Sequence, residues 1–99
     1  MDMKYNIEYI STFHVDMLTV ARILDEYPEK AARIFAKAEK FIKPLVDMPE
    51  MYPIYPDAPS YRFFAVEDYL VFYKVKKRER IIEIRRLLYG RMDIPAHIK

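Results

Sequence analysis

Residues 61–93, YRFFAVEDYLVFYKVKKRERIIEIRRLLYGRMD, decide the fold. Runs at about 61–66, 69–75 and 81–88 are rich in Phe, Tyr, Val, Ile and Leu, which suit a pleated, half-buried surface. Two polar breaks separate them, Glu67-Asp68 and the charged run KKRER at 76–80. Both are too short for a helical crossover, so the three strands are expected to form an antiparallel meander. In the middle run Tyr69, Val71, Tyr73 and Val75 share one face, while Leu70 and Phe72 share the other. Apolar residues on both faces mark a central strand, with helices on one side and further chain on the other.

The chain upstream supplies those helices. Residues 3–10 alternate Tyr5, Ile7 and Tyr9 against Lys4, Asn6 and Glu8, the period of a strand with one buried face. A first helix is expected over about 12–27, where Phe13, Met17, Val20, Ala21 and Leu24 recur at helical spacing. Ser11 or Thr12 is placed to cap it, and Asp16 lies in its first turn, where a carboxylate favours the positive end of the helix dipole. Pro28 stops this helix and opens a second over about 28–46, whose stripe is Ala31, Ile34, Phe35, Ala38, Phe41, Ile42 and Leu45. Pro44 ends or kinks it near Lys43. Four prolines (Pro49, Pro53, Pro56 and Pro59) make 48–59 an extended linker, pinned to the body by Tyr52, Ile54 and Tyr55. The fold class is therefore α+β: one small β-α-α-β-β-β domain, a helical hairpin packed on a mainly antiparallel, twisted sheet. The single glycine, Gly90, is placed to turn the backbone at a positive φ after the last strand. The tail, 91–99, is expected to order only against a partner.

Composition excludes several function classes. An apolar fraction of 53% and a charged fraction of 32% belong to a globular chain, and 99 residues suffice for one core. Without cysteine there is neither a disulfide nor a thiolate site, which suits a reducing compartment. The start of the chain shows no signal peptide, and no apolar run approaches the roughly 20 residues of a membrane span. A cytoplasmic location and no membrane partner are expected. His14 and His97 have no metal-ligand spacing, and one glycine cannot build a phosphate loop, so no metal and no cofactor are expected. Charge is uneven: residues 1–59 carry 7 Lys/Arg and 10 Asp/Glu, whereas 60–99 carry 10 and 5. The basic half suits a partner bearing phosphate or carboxylate, or is an ordinary solvated surface.

The order of elements and two motifs resemble the ParE/RelE superfamily of toxins from type II toxin–antitoxin systems. SYRFFAVEDYLVFYKV (60–75) resembles the family's Tyr-Arg pair, short turn and apolar run ending in Phe-Tyr. IEIRRLLYGRMD (82–93) resembles the ParE-type ending, an apolar strand that carries an Arg and runs into Arg-Met-Asp. LVDMP (45–49) is similar to the close of the family's second helix. The resemblance implies a growth-arresting toxin with a cognate antitoxin as partner. ParE-like members inhibit DNA gyrase; RelE-like members cut mRNA on the ribosome with basic residues and a tyrosine. Tyr69 is followed by Leu70 where those nucleases often have Arg, and no Tyr follows Arg91. Both departures favour the ParE-like branch and a protein target, with the ribosome-dependent ribonuclease, or an inactive antitoxin-binding relative, as alternatives. Tyr89 stands where ParE-like sequences commonly carry His.

The candidate target-binding residues are Arg62, Arg86, Tyr89 and Arg91; no catalytic residue is assigned. Strict alternation places Arg86 beside Ile82 and Ile84 on an apolar face, where a guanidinium needs a partner. That partner is either a ligand or an internal carboxylate such as Asp68 or Asp93. Arg85, on the opposite face, reads as a solvent residue unless the strand bulges. The meander is expected to bring Arg62, Tyr89 and Arg91 to one end, where arginine forks grip an anion and a tyrosine ring stacks or packs.

Overall fold

The computed structural model describes residues 4–98, so the first residues of the expected 3–10 strand lie outside them. The elements are β1 (Asn6–Tyr9), α1 (Ser11–Ile23), α2 (Pro28–Ile42), β2 (Arg62–Val66), β3 (Tyr69–Lys76) and β4 (Ile81–Tyr89). Short 3₁₀ turns at Lys43–Val46 and Ile94–Ala96 complete them. The sheet order is β1-β4-β3-β2, with β1 parallel to β4 and the other two pairs antiparallel. This is the expected α+β architecture, with the meander intact and two helices on one face.

Periodicity explains why the layers form. Ile34, Ala38 and Ile42 of α2, with Leu45 beyond, are buried against Phe64, Val66, Val71, Tyr73, Ile82 and Ile84 of the sheet, and Ala31 of the same stripe is buried too. Phe41, counted in the same stripe, lies at its margin and meets Phe64 edge-on at 5.7 Å. Pro44 falls where α2 gives way to the 3₁₀ turn, as its missing N–H requires. The first helix differs from its expected form. It ends at Ile23 rather than near Tyr27, and its N-cap is Ile10, with no side-chain cap. Ser11 and Thr12 are already helical, because the chain leaves β1 straight into α1.

The opposite face of the sheet carries its own apolar cluster. Phe72 and Leu88 are covered by Tyr61 and by Ile94 and Ile98 of the C-terminal segment. The tail is therefore packed from its own residues, in contrast to the expectation that it orders only on a partner. Two buried isoleucines, each worth roughly 1.5–3 kcal/mol when removed from water, offset the entropy of fixing so short a segment. The Pro-rich linker supplies the rest of the cover. Tyr55 meets Phe63 and Phe72 edge-on at 5.2 and 5.0 Å, and Tyr52 donates from its hydroxyl to the Phe41 carbonyl at 2.8 Å. Ile54 holds through its backbone, which bridges Arg62, while its side chain stays exposed.

Two turns have an unexpected chemistry. Gly90 is not at a positive φ; Glu67 (φ 54°) and Arg80 (φ 56°) are. Gly90 is required by close approach instead. Its N–H donates to the Asp68 carbonyl at 2.8 Å, and a Cβ there would stand 3.1 Å from that same oxygen. Glu67 is held in its left-handed conformation by Arg33 (2.6 and 3.1 Å) and Lys37 (3.2 Å), which tie the β2–β3 turn to α2.

Candidate functional site

The end of β4 is shaped by what lies along its free edge. β1 stops at Tyr9, opposite Ile84, and the Ile10 N–H still donates to the Ile84 carbonyl at 2.9 Å. From there α1 takes over the edge. The Thr12 hydroxyl donates to the Arg85 carbonyl at 2.7 Å, and the Asp16 carboxylate accepts from the Leu87 N–H at 2.9 Å. Side chains of a helix thus satisfy strand groups that would otherwise be unpaired.

A β-bulge fixes the arginines. Phe72 is opposite Arg86 and Tyr73 is opposite Ile84, so Arg85 is the extra residue. Strict alternation fails there: Arg86 stands across from Phe72 instead of sharing the side of Ile82 and Ile84, and Leu87 resumes the helix-facing core. Arg86 donates from Nε to Asp16 Oδ2 at 2.8 Å and from Nη2 to Oδ1 at 3.1 Å, a two-bond fork. Its Nη1 donates to the His97 carbonyl, which fastens the C-terminal segment. The hydrogen bond to Asp16 raises the Arg86 pKa against the opposing effect of burial. An internal carboxylate does meet Arg86, but it is Asp16 rather than Asp68 or Asp93. The carboxylate read as a dipole partner serves as a buried counter-ion.

Arg62 is not part of this end. It is level with Tyr73, and Tyr73 with Ile84, whereas Tyr89 is level with Tyr69. Ile84 and Tyr89 are five residues apart on β4, about 16 Å at ~3.3 Å per residue. The outer strands of a three-strand meander run the same way, so the start of one and the end of the other lie at opposite ends. Arg62 instead clamps the linker, donating to the Tyr52 carbonyl at 2.7 Å and to the Glu50 carboxylate at 3.1 Å. The Tyr73 hydroxyl, pushed up to about 12 by burial, donates to the Pro49 carbonyl beside it.

What remains at the β4 end is a groove of about 440 Å³ between α1 and the last strand. Val20 and Ile23 form one wall, Tyr69, Leu87 and Tyr89 the other, and Met92 closes it. Arg86, Asp16 and His97 line its inner end. Tyr89 is 41% exposed and packs edge-on to Tyr69 at 5.7 Å. Arg91, between Tyr89 and Met92, is exposed and pairs with no carboxylate among the described residues. So Arg86 and Tyr89 meet in one groove, Arg91 follows Tyr89 by two residues without lining it, and Arg62 lies elsewhere. Sequence reasoning missed Asp16, Ile23 and Met92 as components; Val15, Leu18 and Ile23, apolar residues of α1 outside its core stripe, were the available signal. A second groove, of about 620 Å³, separates α1 from α2 and is lined by Tyr9, Phe13, Met17 and Phe35. Between the grooves α1 exposes Val15 (59%) and Leu18 (66%). A helix that is buried on one side and exposes large apolar side chains on the other presents an interaction surface.

No three His, Asp or Glu side chains converge as a metal set among the described residues, and no helix there is long and apolar enough to cross a membrane.

Residues 18–94 match the family described as the ParE toxin of the type II toxin–antitoxin system parDE. The chain belongs to the ParE toxin family. Its fold is similar to that of a chain in the structure of the chromosomal ParDE system from P. aeruginosa, with a TM-score of 0.72 at 18% identity. That likeness covers 90% of this chain and 98% of the other. No curated protein matches in sequence. The matched segment of this ParE-family toxin contains Arg86, Tyr89 and Arg91 but begins after β1 and Asp16, so the counter-ion of Arg86 lies outside it.

Proposed function

We propose that this ParE-family toxin arrests growth by binding and inhibiting DNA gyrase, without chemistry of its own, and is neutralised by a cognate antitoxin in the cytoplasm. The observation that carries this reading is the state of Arg86. For Arg86 to serve a nuclease, its guanidinium would have to be free to stabilise the charge developing on a scissile phosphate. Here the guanidinium is bound to Asp16 and the His97 carbonyl. Tyr89, exposed on an apolar groove, and Arg91, exposed two residues on, suit contact with a protein: an aromatic body and an unpaired arginine are common anchors of interfaces. In this reading Tyr89 and Arg91 touch the target, Arg86 positions the end of β4, and Arg62 acts on the fold. The apolar faces of α1 suit an antitoxin segment that folds as it docks.

The test pairs two assays on purified protein. Gyrase supercoiling is expected to be inhibited while mRNA on translating ribosomes stays intact. Cleavage at the ribosome with unimpaired gyrase would replace this reading by the ribonuclease one, and inactivity in both by that of an antitoxin-binding relative.

A further inference from the structure

The strongest charged feature of the molecule lies away from the groove, on the β3–β4 hairpin. Residues 74–85 carry six Lys/Arg (Lys74, Lys76, Lys77, Arg78, Arg80, Arg85) against two carboxylates, Glu79 and Glu83. Alternation along β3 puts Lys74 and Lys76 on the face of Phe72, away from the helices. Beyond them all of 76–80 is exposed. Nearby carboxylates neutralise only part of this charge. Glu83 pairs with Arg85 at 2.8 Å and Glu50 with Lys77 at 3.3 Å, while Glu8 of β1 lies across from Glu83. Asp57 shares a shallow hollow with Lys74. Lys76 and Arg78 have no ion pair among the described residues. The like charges act on Lys74, whose pKa is lowered by burial and then by the charges of Arg85 and Lys76, against a smaller upward pull from Glu83. Like charges gathered at a cost, on a strand held in place by packing, are suited to a partner that brings negative charge.

We propose that this hairpin and the adjoining sheet face bind the phosphate backbone of a nucleic-acid duplex, independently of sequence. The aromatic residues decide for a duplex backbone over unpaired bases. Single-strand binders need exposed rings on which bases stack. Tyr61, whose ring lies against one of these cations, is buried beneath the Lys74 ammonium at 4.7 Å. The exposed tyrosines Tyr9, Tyr27 and Tyr89 lie on β1, at the α1–α2 turn and at the far end of β4. What the hairpin offers is a row of cations on a rigid ribbon. From Lys74 to Lys76 the strand rises about 7 Å, roughly two base-pair rises of ~3.4 Å, and Lys77 and Arg78 add their charges in the turn that follows. The interaction does not depend on the gyrase reading and is measured without that enzyme.

The test is fluorescence anisotropy of the full chain with a labelled ~20-bp DNA duplex over a salt series, beside an RNA duplex, a single strand and polyglutamate as competitor. With about four phosphates neutralised, the log–log salt slope is expected near −3.6, so affinity falls about a hundredfold between 50 and 200 mM salt. The variant Lys76→Ala with Arg78→Ala, both exposed positions, is expected to fold as the parent does and to reduce the slope by about 2. Binding to either duplex supports the proposal, and their ratio identifies which nucleic acid is preferred. No saturable binding at 50 mM salt, or unchanged binding by the variant, overturns it. So does tighter binding of the single strand, or equal competition by polyglutamate, which would assign the surface to an acidic protein.

Discussion

Asp16 on α1 and Arg86 on β4, seventy residues apart in the chain, are joined by two hydrogen bonds of 2.8 and 3.1 Å. The same carboxylate takes the Leu87 N–H at 2.9 Å, and the same guanidinium holds the His97 carbonyl. One ion pair thus connects the first helix, the last strand and the C-terminal segment. It stands at the inner end of the groove that Tyr89 and Met92 close.

Removing one partner of this pair is expected to destabilise the fold. The side chains are 22% and 10% exposed, so Asp16→Ala leaves a largely desolvated guanidinium and an unpaired Leu87 N–H. A loss of about 3 kcal/mol is expected, read as a lower urea midpoint. Asp16→Asn keeps an acceptor for Leu87 and is expected to lose less. Equal losses for the two variants would mean that the Leu87 bond contributes nothing.

The Glu67 turn predicts an acid-sensitive contribution. Hydrogen bonds from Arg33, and secondarily from Lys37, hold this carboxyl at about 2, well below its ordinary value of 4.5. A depressed carboxylate stabilises the fold fully above the unfolded-state pKa and progressively less as pH falls toward the folded one. The stability difference between the parent and Glu67→Gln should therefore be constant near neutrality and shrink from about pH 4.5 to about 2. A difference independent of pH in that window would assign the effect to the turn geometry and not to charge.

Gly90→Ala tests close approach against backbone freedom. Because the glycine φ is not positive, alanine meets no conformational barrier; it meets the Asp68 carbonyl at 3.1 Å. The turn must give by a few tenths of an ångström, for an expected loss of about 1 kcal/mol in thermal or urea unfolding. A stabilised variant would show that the β2–β3 turn moves freely.

Arg91 and Arg62 are expected to separate function from fold. Arg91→Ala should leave the unfolding midpoint unchanged within ~0.5 kcal/mol and abolish growth arrest. Arg62→Ala removes the clamp on the Tyr52 carbonyl and the Glu50 carboxylate, and should cost about 1–3 kcal/mol through the linker. Full toxicity in Arg91→Ala would take that residue out of the target contact.

Much of this protein was legible because its signals are local. The α2 stripe from Ala31 to Leu45, the three apolar runs and the short breaks between them each report a period that neighbouring residues share, and periods survive into the fold. The motif at 82–93 likewise pointed to the family that the match over 18–94 establishes. Tertiary structure alone decided the rest. The bulge at Arg85 shifts the register of β4 by one residue, which no alternation pattern announces, and it sends Arg86 to Asp16. The burial of Ile94 and Ile98 depends on a sheet face exposed to them only once β3 and β4 have paired. The candidate site inherits both. The residue types around RRLLYGRMD were evident from the sequence. Which arginine is bound internally, which is left free and which lies about 16 Å away were set by register, and register is a property of paired strands.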